Sequence, residues 1–556
     1  PFASPPVGSL RWKAPQPPAP WVGTRTTIEE PAMCVQNETL PTWIMMPNAT
    51  GSEDCLYLNI YRPQSDEKNL PVYFWIHGGA NSSGDAGLYN LENLAKRANV
   101  VAVVVQYRLN AFGWFTHPAL RQTSTSAESS GNFGTLDQIQ ALKWVGENIA
   151  AFGGNPSNVT VAGESAGGHN TMAMIISPLA KGLFHRAIME SGGMVSESVS
   201  TADQTSNRTI DTALIMDGTA EDMAEAKTVR LNMTDGQTEQ FLRQLSASDL
   251  LRAISGGPGN AAPPLGNLIE DGYVIPGDLL CTIESGRYNK VPIIAGANET
   301  EVGSINTLFC SAEHQQETGQ SCNLLPDEAM PNYIDLLEVV QGKRKLDDVL
   351  QTVTDKHLWK KTNHYGGLFW RAAFVDELLR RMSKHQDDVY GYSFNWGEED
   401  VRPGGAGFVY GAAHALEIPF FQGNADGPGI NEFDWQVATG FTDRNLPGRK
   451  ALTTSIISYI AQFLWTGNPN LAGTGLPKWQ RWSNHVGGPK AIILDADVRE
   501  ANIKMDTTEV SMASVRHALE AESQEVQIHT RLLSAPYATY EPGHYDYNVC
   551  RDTRAL

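Results

Sequence analysis

The segment 159–168, with the sequence VTVAGESAGG, places the tightest restriction on the fold of this chain. A β-branched run leads into a Gly-x-Ser-x-Gly turn centred on Ser165, and a helix-forming stretch follows. Glycines two positions before and after the serine let a strand and a helix crowd around it, so that its hydroxyl projects from a strained turn. The N–H groups of Ser165 and Ala166 are then expected at the N-terminus of the helix, where negative charge is stabilised. The strand–turn–helix context predicts a nucleophilic serine.

Such a serine needs a base, an acid that orients the base, and donors for an oxyanion. Residues 71–76 (PVYFWI) are apolar and predict a buried strand, and the turn 77–81 (HGGAN) follows directly. A glycine-rich turn at this place exposes backbone N–H groups in lipases and esterases. Ala80 occupies the position of a usual third glycine, but a methyl group does not remove the N–H. We expect the N–H groups of Gly79, Ala80 and Ala166 to hold the oxyanion.

Several further motifs occur in a fixed order along the chain: PPVGSLRW at 5–12, EDCLYLN at 53–59, GNFGTLDQ at 131–138 and FGGNP at 152–156. Together with the serine turn, they resemble the type-B carboxylesterases, the cholinesterase-like branch of the α/β-hydrolases. The likeness runs from residue 1 to about residue 494. It implies an α/β-hydrolase fold, in which a large, mostly parallel central sheet is flanked by helices, with helical insertions over an active-site gorge.

The resemblance implies a Ser-Glu-His triad in that chain order. Residues 292–296 (PIIAG) predict a buried strand, and the segment NETEVG follows at 298–303. The family pattern Asn-x-x-Glu-Gly selects Glu301 as the acid, with Val302 inserted before the glycine. Glu299 is the competing candidate, because in an extended loop both side chains would point to the same side.

The base implied by the resemblance is His414, one of thirteen histidines. It lies in the segment GAAHALEIPF, which resembles the His-Gly-x-Glu-Ile block of the family. His169 follows the serine by four residues, which carries it one helical turn away from the elbow. We interpret four other candidates as structural or surface residues: His77, His117, His169 and His185.

Cysteine spacing bears on the cellular compartment. The resemblance implies a disulfide between Cys34 and Cys55, and Cys310 and Cys322 would close a second short loop. Cys281 and Cys550 could pair with each other or stay free. Two local pairs suit an oxidising compartment. Because relatives usually precede Pro1 with further strands, we expect the native N-terminus upstream, and we predict a secreted or periplasmic protein.

Length and composition agree with a globular enzyme of 556 residues, 41% hydrophobic and 19% charged. We expect a single catalytic domain over 1–556, with insertions at about 201–266 and 307–388 and a C-terminal extension at about 495–556. The formal charge of −20 argues against nucleic acid and anionic membrane surfaces as partners. No apolar run is long enough for a transmembrane helix. No metal or other cofactor is predicted, and the oligomeric state stays undefined.

The sequence therefore predicts a serine carboxylic ester hydrolase that forms an acyl-enzyme and acts on small to medium neutral esters. The stretch 256–266, rich in Gly, Ala and Pro, predicts a roomy acyl pocket. A specialised ester, a lactone, a polyester or an amide is an alternative substrate, because acyl-transfer chemistry is common to all. A non-catalytic cholinesterase-like adhesion protein is disfavoured, because all three triad members are present.

Overall fold

The computed structural model describes residues 1–39, 45–122, 125–193, 196–256, 266–302, 356–398, 400–402, 406–427, 440–527 and 530. The chain divides into two compact units. One unit comprises Pro1–Thr282 and Arg287–Val291, and the other comprises Ile283–Gly286 and Pro292–Leu556.

The first unit is built on a mostly parallel sheet. The strands described in this unit are β1 (Gln36–Thr39), β2 (Met45–Thr50), β3 (Leu58–Tyr61), β4 (Leu70–Ile76), β5 (Val101–Val105), β6 (Gly154–Glu164), β7 (Arg186–Glu190), β8 (Ser196–Ser198) and β9 (Leu268–Glu270). Five of them run in the order β7-β6-β4-β5-β3. The pairs among β4, β5, β6 and β7 are parallel, and β3 is antiparallel to β5. Two small additional sheets pair β1 with β2 and β8 with β9.

Two strands of this sheet, β4 and β5, are buried along their whole length. Such burial is expected for parallel strands that are covered on both faces. β4 has the bounds of the predicted strand at 71–76, with Leu70 added at its start. The apolar run VVAVVV at 100–105 predicts a buried central strand of the parallel kind. It forms β5, which is not central in this unit, because only the antiparallel β3 lies between it and the edge of the sheet.

Helices separate these strands. They are α1 (Glu92–Ala98), α2 (Asn110–Gly113), α3 (Pro118–Arg121), α4 (Phe133–Asn148), α5 (Ala166–Ile176), α6 (Val199–Met216), α7 (Met223–Asn232), α8 (Asp235–Gln244), α9 (Ala247–Ile254) and α10 (Leu279–Glu284). Short 3₁₀ turns span Gly8–Leu10, Ala86–Leu88, Ile149–Phe152 and Pro178–Ala180. The predicted insertion at 201–266 is helical as far as Ile254, whereas residues 257–265 of the predicted acyl-pocket stretch lie outside the described residues.

The second unit contains β10 (Ile293–Asn298), β11 (Val389–Phe394), β12 (Ala491–Leu494) and β13 (Lys504–Asp506). They run in the order β13-β12-β11-β10, and only the β12–β13 pair is antiparallel. Its helices are α11 (Lys356–Trp370), α12 (Glu377–Met382), α13 (Ala406–Val409), α14 (Ile418–Phe421), α15 (Leu446–Thr466) and α16 (Met512–Glu520). A π-helical turn at Arg371–Asp376 joins α11 to α12. The mostly parallel sheets flanked by helices confirm the predicted α/β class.

The C-terminal extension packs on this second unit. Val515 and Leu519 of α16 are buried in a cluster with Leu358 and Trp359 of α11. Just after α16, Glu522 accepts hydrogen bonds from Lys361 Nζ at 2.6 Å and Tyr365 Oη at 2.8 Å. The part of the extension up to residue 527 is therefore an integral layer of this unit.

One of the two predicted disulfides is confirmed. Cys34 and Cys55 are bonded, with their Cα atoms 5.0 Å apart. Cys281 is also disulfide-bonded, which excludes a free thiol there. The predicted Cys310–Cys322 pair and Cys550 lie outside the described residues. Among the helices that the structure describes, none is long and apolar enough to span a bilayer.

Candidate active site

Ser165 lies in a strained turn between β6 and α5. Its backbone has φ +57° and ψ −122°, a combination that non-glycine residues adopt only where the surroundings enforce it. A Cβ at Gly163 would lie 2.4 Å from the backbone of Gly167, and one at Gly167 would lie 1.9 Å from the carbonyl oxygen of Ile76. Only glycine fits at these two positions. The turn holds Ser165 half-buried, so its hydroxyl is rigidly placed yet reachable.

The two N–H groups expected at the start of α5 differ in what they can do. The Ser165 N–H donates to the carbonyl oxygen of Glu190 at 2.9 Å. Because this N–H already has an acceptor, the expectation that it stabilises negative charge is wrong. The carbonyl at the end of β7 takes this donor because strand and elbow are adjacent. Ala166 is the first residue of α5, and no acceptor for its N–H occurs among the described residues.

The turn after β4 places further donors near the serine. Gly79, Ala80 and Asn81 have successive positive φ values of 105°, 56° and 56°. The Gly79 carbonyl accepts from the N–H groups of Ser82 and Ser83, both at 2.9 Å, which closes the turn. In the part of the chain that the structure describes, the N–H groups of Gly79 and Ala80 have no acceptor. Backbone donors of this kind can stabilise a developing oxyanion.

The turn and the elbow are in close contact. A Cβ added at Gly78 would lie 3.2 Å from Cβ of Ser165, so this glycine permits the approach. His77 is buried beside it, and its ring stacks on Tyr107 with centroids 4.4 Å apart. Burial lowers the pKa of His77 to about 4. A neutral imidazole packed in this way agrees with the structural role predicted for His77.

In the second unit, Glu301 and His414 are hydrogen-bonded. His414 Nδ1 lies 2.5 Å from Glu301 Oε2, and the carboxylate is fully buried. The other carboxylate oxygen accepts from the backbone N–H of Asn298 at 2.6 Å. Trp370, at the end of α11, lies against the imidazole with ring centroids 5.2 Å apart. The Glu301 carboxylate and the Trp370 indole together fix the orientation of the imidazole.

Glu299 has different surroundings. Residues 299–301 form a turn and not an extended loop, so the expectation that both glutamates point to the same side is wrong. The pKa of Glu299 is raised to about 7, first by burial and then by the nearby charges of Glu398 and Asp495. Glu301, and not Glu299, is the glutamate hydrogen-bonded to His414.

A buried polar link that the sequence did not reveal supports the Glu301–His414 pair. Asn298 Nδ2 donates to the carbonyl oxygen of Ala413 and to Oε2 of Glu417, both at 2.5 Å. This ties the end of β10 to the segment that carries the histidine. The Asn-x-x-Glu spacing pointed to Glu301, but a single sequence gives no signal that the asparagine bonds to residues more than a hundred positions away.

The predicted residues thus group as follows. The structure brings Ser165 together with the Gly79, Ala80 and Ala166 donors in the first unit, and Glu301 together with His414 in the second. Among the described residues, no cluster of His, Cys, Asp and Glu could hold a metal ion.

Comparison with known proteins agrees with this chemistry. A model of the carboxylesterase family matches residues 1–509. The chain belongs to this family. The carboxylesterase motifs quoted above therefore mark a true relationship, and it extends past residue 494 to include β13.

The relatives named below match this chain over most of their own length. The para-nitrobenzyl esterase of Bacillus subtilis is 32% identical over 90% of this chain and 91% of its own. The pyrethroid hydrolase Ces2e of Rattus norvegicus is 33% identical over 86% of this chain and 78% of its own. A solved PNB esterase structure is 31% identical, with a TM-score of 0.65 over 93% of this chain and 94% of the other. The α/β-hydrolase fold is confirmed, and the protein is a carboxylic ester hydrolase.

Proposed function

We propose that Ser165, His414 and Glu301 form the catalytic triad of this carboxylesterase. The observation that carries the proposal is the 2.5 Å contact between His414 Nδ1 and Glu301 Oε2. A carboxylate on Nδ1 holds the imidazole in the tautomer whose Nε2 accepts a proton, and it stabilises the imidazolium that then forms. The strained, half-buried Ser165 supports the assignment of the nucleophile.

The reaction begins with acylation. His414 Nε2 takes the proton of the Ser165 hydroxyl while Oγ attacks the ester carbonyl carbon. The carbonyl oxygen becomes an oxyanion, and the N–H groups of Gly79, Ala80 and Ala166 donate to it. These donors are fixed by the backbone before the substrate arrives, so no free energy is spent on orienting them during the reaction.

Collapse of the tetrahedral intermediate breaks the ester C–O bond. The leaving alkoxide takes the proton from the His414 imidazolium and departs as the alcohol, which leaves Ser165 acylated. A water molecule then gives its proton to His414 and attacks the acyl carbon. The second intermediate releases the carboxylic acid and restores the Ser165 hydroxyl.

We extend this proposal to small and medium neutral esters. Two relatives are named a para-nitrobenzyl esterase and a pyrethroid hydrolase, which supports a small-molecule substrate. The net charge of −20 disfavours the approach of anionic substrates. The Cys34–Cys55 disulfide supports maturation in an oxidising compartment, and hence a secreted or periplasmic location.

The test is active-site labelling together with Ser165→Ala. The variant is expected to lose about 10⁶-fold in kcat on a p-nitrophenyl ester, as removal of a nucleophile does in serine hydrolases, with an unchanged circular dichroism spectrum. A fluorophosphonate should label the peptide that contains residues 163–168 in the wild type and nothing in the variant. Label on another serine, such as Ser191, would contradict the proposal.

A further inference from the structure

We propose that Asn81 is a positioning residue that fixes the oxyanion donors relative to the nucleophile helix through Asn170. The inference rests on the proposed function, because it concerns the donors assigned there. Asn81 belongs to the turn that carries Gly79 and Ala80, and Asn170 belongs to α5, which carries Ala166. Their side-chain amides form a direct link between these two elements.

The link is a buried hydrogen bond. Asn170 Nδ2 donates to Asn81 Oδ1 at 2.7 Å. Asn81 Nδ2 in turn donates to the carbonyl oxygen of Gly266 at 2.8 Å. Asn81 is 2% exposed and Asn170 is fully buried. Tyr107 Oη also donates to Asn81 Oδ1, at 3.5 Å. The Asn81 side chain thus connects the turn to α5, to Gly266 and to Tyr107, and water does not compete for these buried bonds.

The backbone around Asn81 needs such support. Ala80 and Asn81 both have φ +56°, in the left-handed region that costs free energy for residues other than glycine. The Asn81 carbonyl also accepts from the N–H of Asn110 at 2.6 Å. Bonds to both the main chain and the side chain of Asn81 hold the end of the turn. Release of these bonds would let Ala80 relax and its N–H turn away from the oxyanion.

The partner residue points to function rather than to stability. Asn170 Oδ1 is buried, and no partner for it occurs among the described residues. A buried amide with one unsatisfied oxygen is a poor choice for stability alone, because an apolar residue of similar shape avoids that cost. The amide of Asn170 donates to Asn81 Oδ1 and is also hydrogen-bonded to the side chain of Tyr107. The bond to Asn81 sets the spacing between the Ala166 donor and the Gly79 and Ala80 donors.

Two variants remove the link from opposite sides. Asn81→Gly deletes the amide but keeps a residue that adopts positive φ without strain. Asn170→Leu deletes the partner without changing the turn, and Asn170→Ala replaces it if the leucine variant does not fold. Because loss of one oxyanion donor costs about 10²–10³ in kcat and misplacement of about 1 Å about 10², we expect each variant to lose about 10²-fold in kcat with KM changed by less than about threefold.

A matched control lies at the other end of the same helix. Asn289 Nδ2 donates to the carbonyl oxygens of Met174 and Ser177, at the C-terminal end of α5. Asn289→Ala also removes an amide bonded to this helix. It is expected to lower the melting temperature while kcat stays within about twofold of the wild type. General loosening of α5 is thereby separated from displacement of the donors.

A trifluoromethyl ketone provides the deciding measurement, because its adduct with a serine carries an oxyanion. The affinity of this inhibitor should fall in Asn81→Gly and Asn170→Leu by the same factor as kcat/KM. The double variant should bind the inhibitor little more weakly than the weaker-binding single variant, because both changes break the same link. The inference is overturned if kcat stays within about twofold, or if kcat falls while inhibitor affinity does not change. Activity retained by Ser165→Ala would instead overturn the proposed function itself.

Discussion

Glu299 and Glu301 lie two positions apart on the turn that follows β10, yet their carboxylates have different surroundings. Glu301 accepts from the Asn298 N–H and lies against His414. Glu299 lies near the acidic side chains of Glu398 and Asp495, and also near Asn395 and Arg371. The turn, and not the identity of the residue, decides which carboxylate can orient an imidazole.

Replacement of each glutamate by glutamine separates the two roles. Glu301→Gln should lower kcat by about 10⁴, because the amide no longer selects the productive imidazole tautomer. Glu299→Gln is the matched control at nearly the same place, and its kcat should stay within about threefold of the wild type. Steady-state kinetics on one p-nitrophenyl ester measures both. An inactive Glu299→Gln beside a nearly normal Glu301→Gln would shift the assignment of the acid by two residues.

The raised pKa of Glu299 predicts a pH-dependent stability. Its pKa is about 7 in the folded protein, against an ordinary 4.5, so the folded state holds this proton more tightly than the unfolded state. The stabilisation is fully present below pH 4.5 and is lost as the pH rises through about 7. Relative to the wild type, Glu299→Gln should therefore gain melting temperature between pH 5 and pH 8. An equal difference in melting temperature at both pH values would contradict this.

At this scale the sequence predicted residues whose role is local. Ser165 is recognisable because the glycines on both sides of it build its turn. Glu301 and His414 were found through family motifs, and each of these motifs covers only a few neighbouring residues. Asn81 and Asn170 were not found, because their hydrogen bond joins residues 89 positions apart and neither residue has a local pattern.

At the scale of elements, strand prediction succeeded where a continuous apolar run is long enough to show. Apolar runs predict strands at 71–76, 100–105 and 491–494, and β4, β5 and β12 have these bounds to within one residue. The run at 491–494 is also expected to form the last strand, and this is wrong, because β13 follows it at Lys504–Asp506. β13 was missed because it has only three residues and no buried face. The π-helical turn at Arg371–Asp376 was also missed. Its extra residue per turn depends on packing, which a helical sequence pattern does not record.

The Cys34–Cys55 bond encloses β1 and β2 in one covalent loop. It closes a loop with a sequence separation of 21 around the β1–β2 hairpin. The chain-entropy model gives about 3 kcal/mol for a loop of roughly this length. The double variant Cys34→Ala/Cys55→Ala should lose about this much in free energy of unfolding, measured by urea denaturation without reductant.

The control for this experiment is peptide mapping of the unreduced wild type. It should recover Cys34 and Cys55 in one disulfide-linked peptide. Two free thiols at these positions would contradict both the stability prediction and the proposed oxidising compartment. A double variant as stable as the wild type would show that the hairpin is held by other contacts.

At the scale of the whole molecule, charge is the property that the sequence defines completely. The chain carries 62 acidic and 42 basic residues, which gives the net charge of −20. A field of this sign lowers the local concentration of anionic ligands and slows their association, and salt screens it. The field discriminates between esters only by their charge. Its effect on kcat/KM can therefore be separated from the effect of contacts in the acyl pocket.

A pair of p-nitrophenyl esters with acyl chains of equal length, one neutral and one ending in a carboxylate, tests this field. At about 0.01 M salt, where the Debye length is roughly 30 Å, kcat/KM should favour the neutral ester. At about 1 M salt, where it is roughly 3 Å, the ratio should fall several-fold, while kcat/KM of the neutral ester stays nearly constant. A preference that does not depend on salt would place the discrimination in the acyl pocket. A preference for the anionic ester would contradict the proposal of neutral substrates, because binding would then have to overcome the charge of the whole molecule.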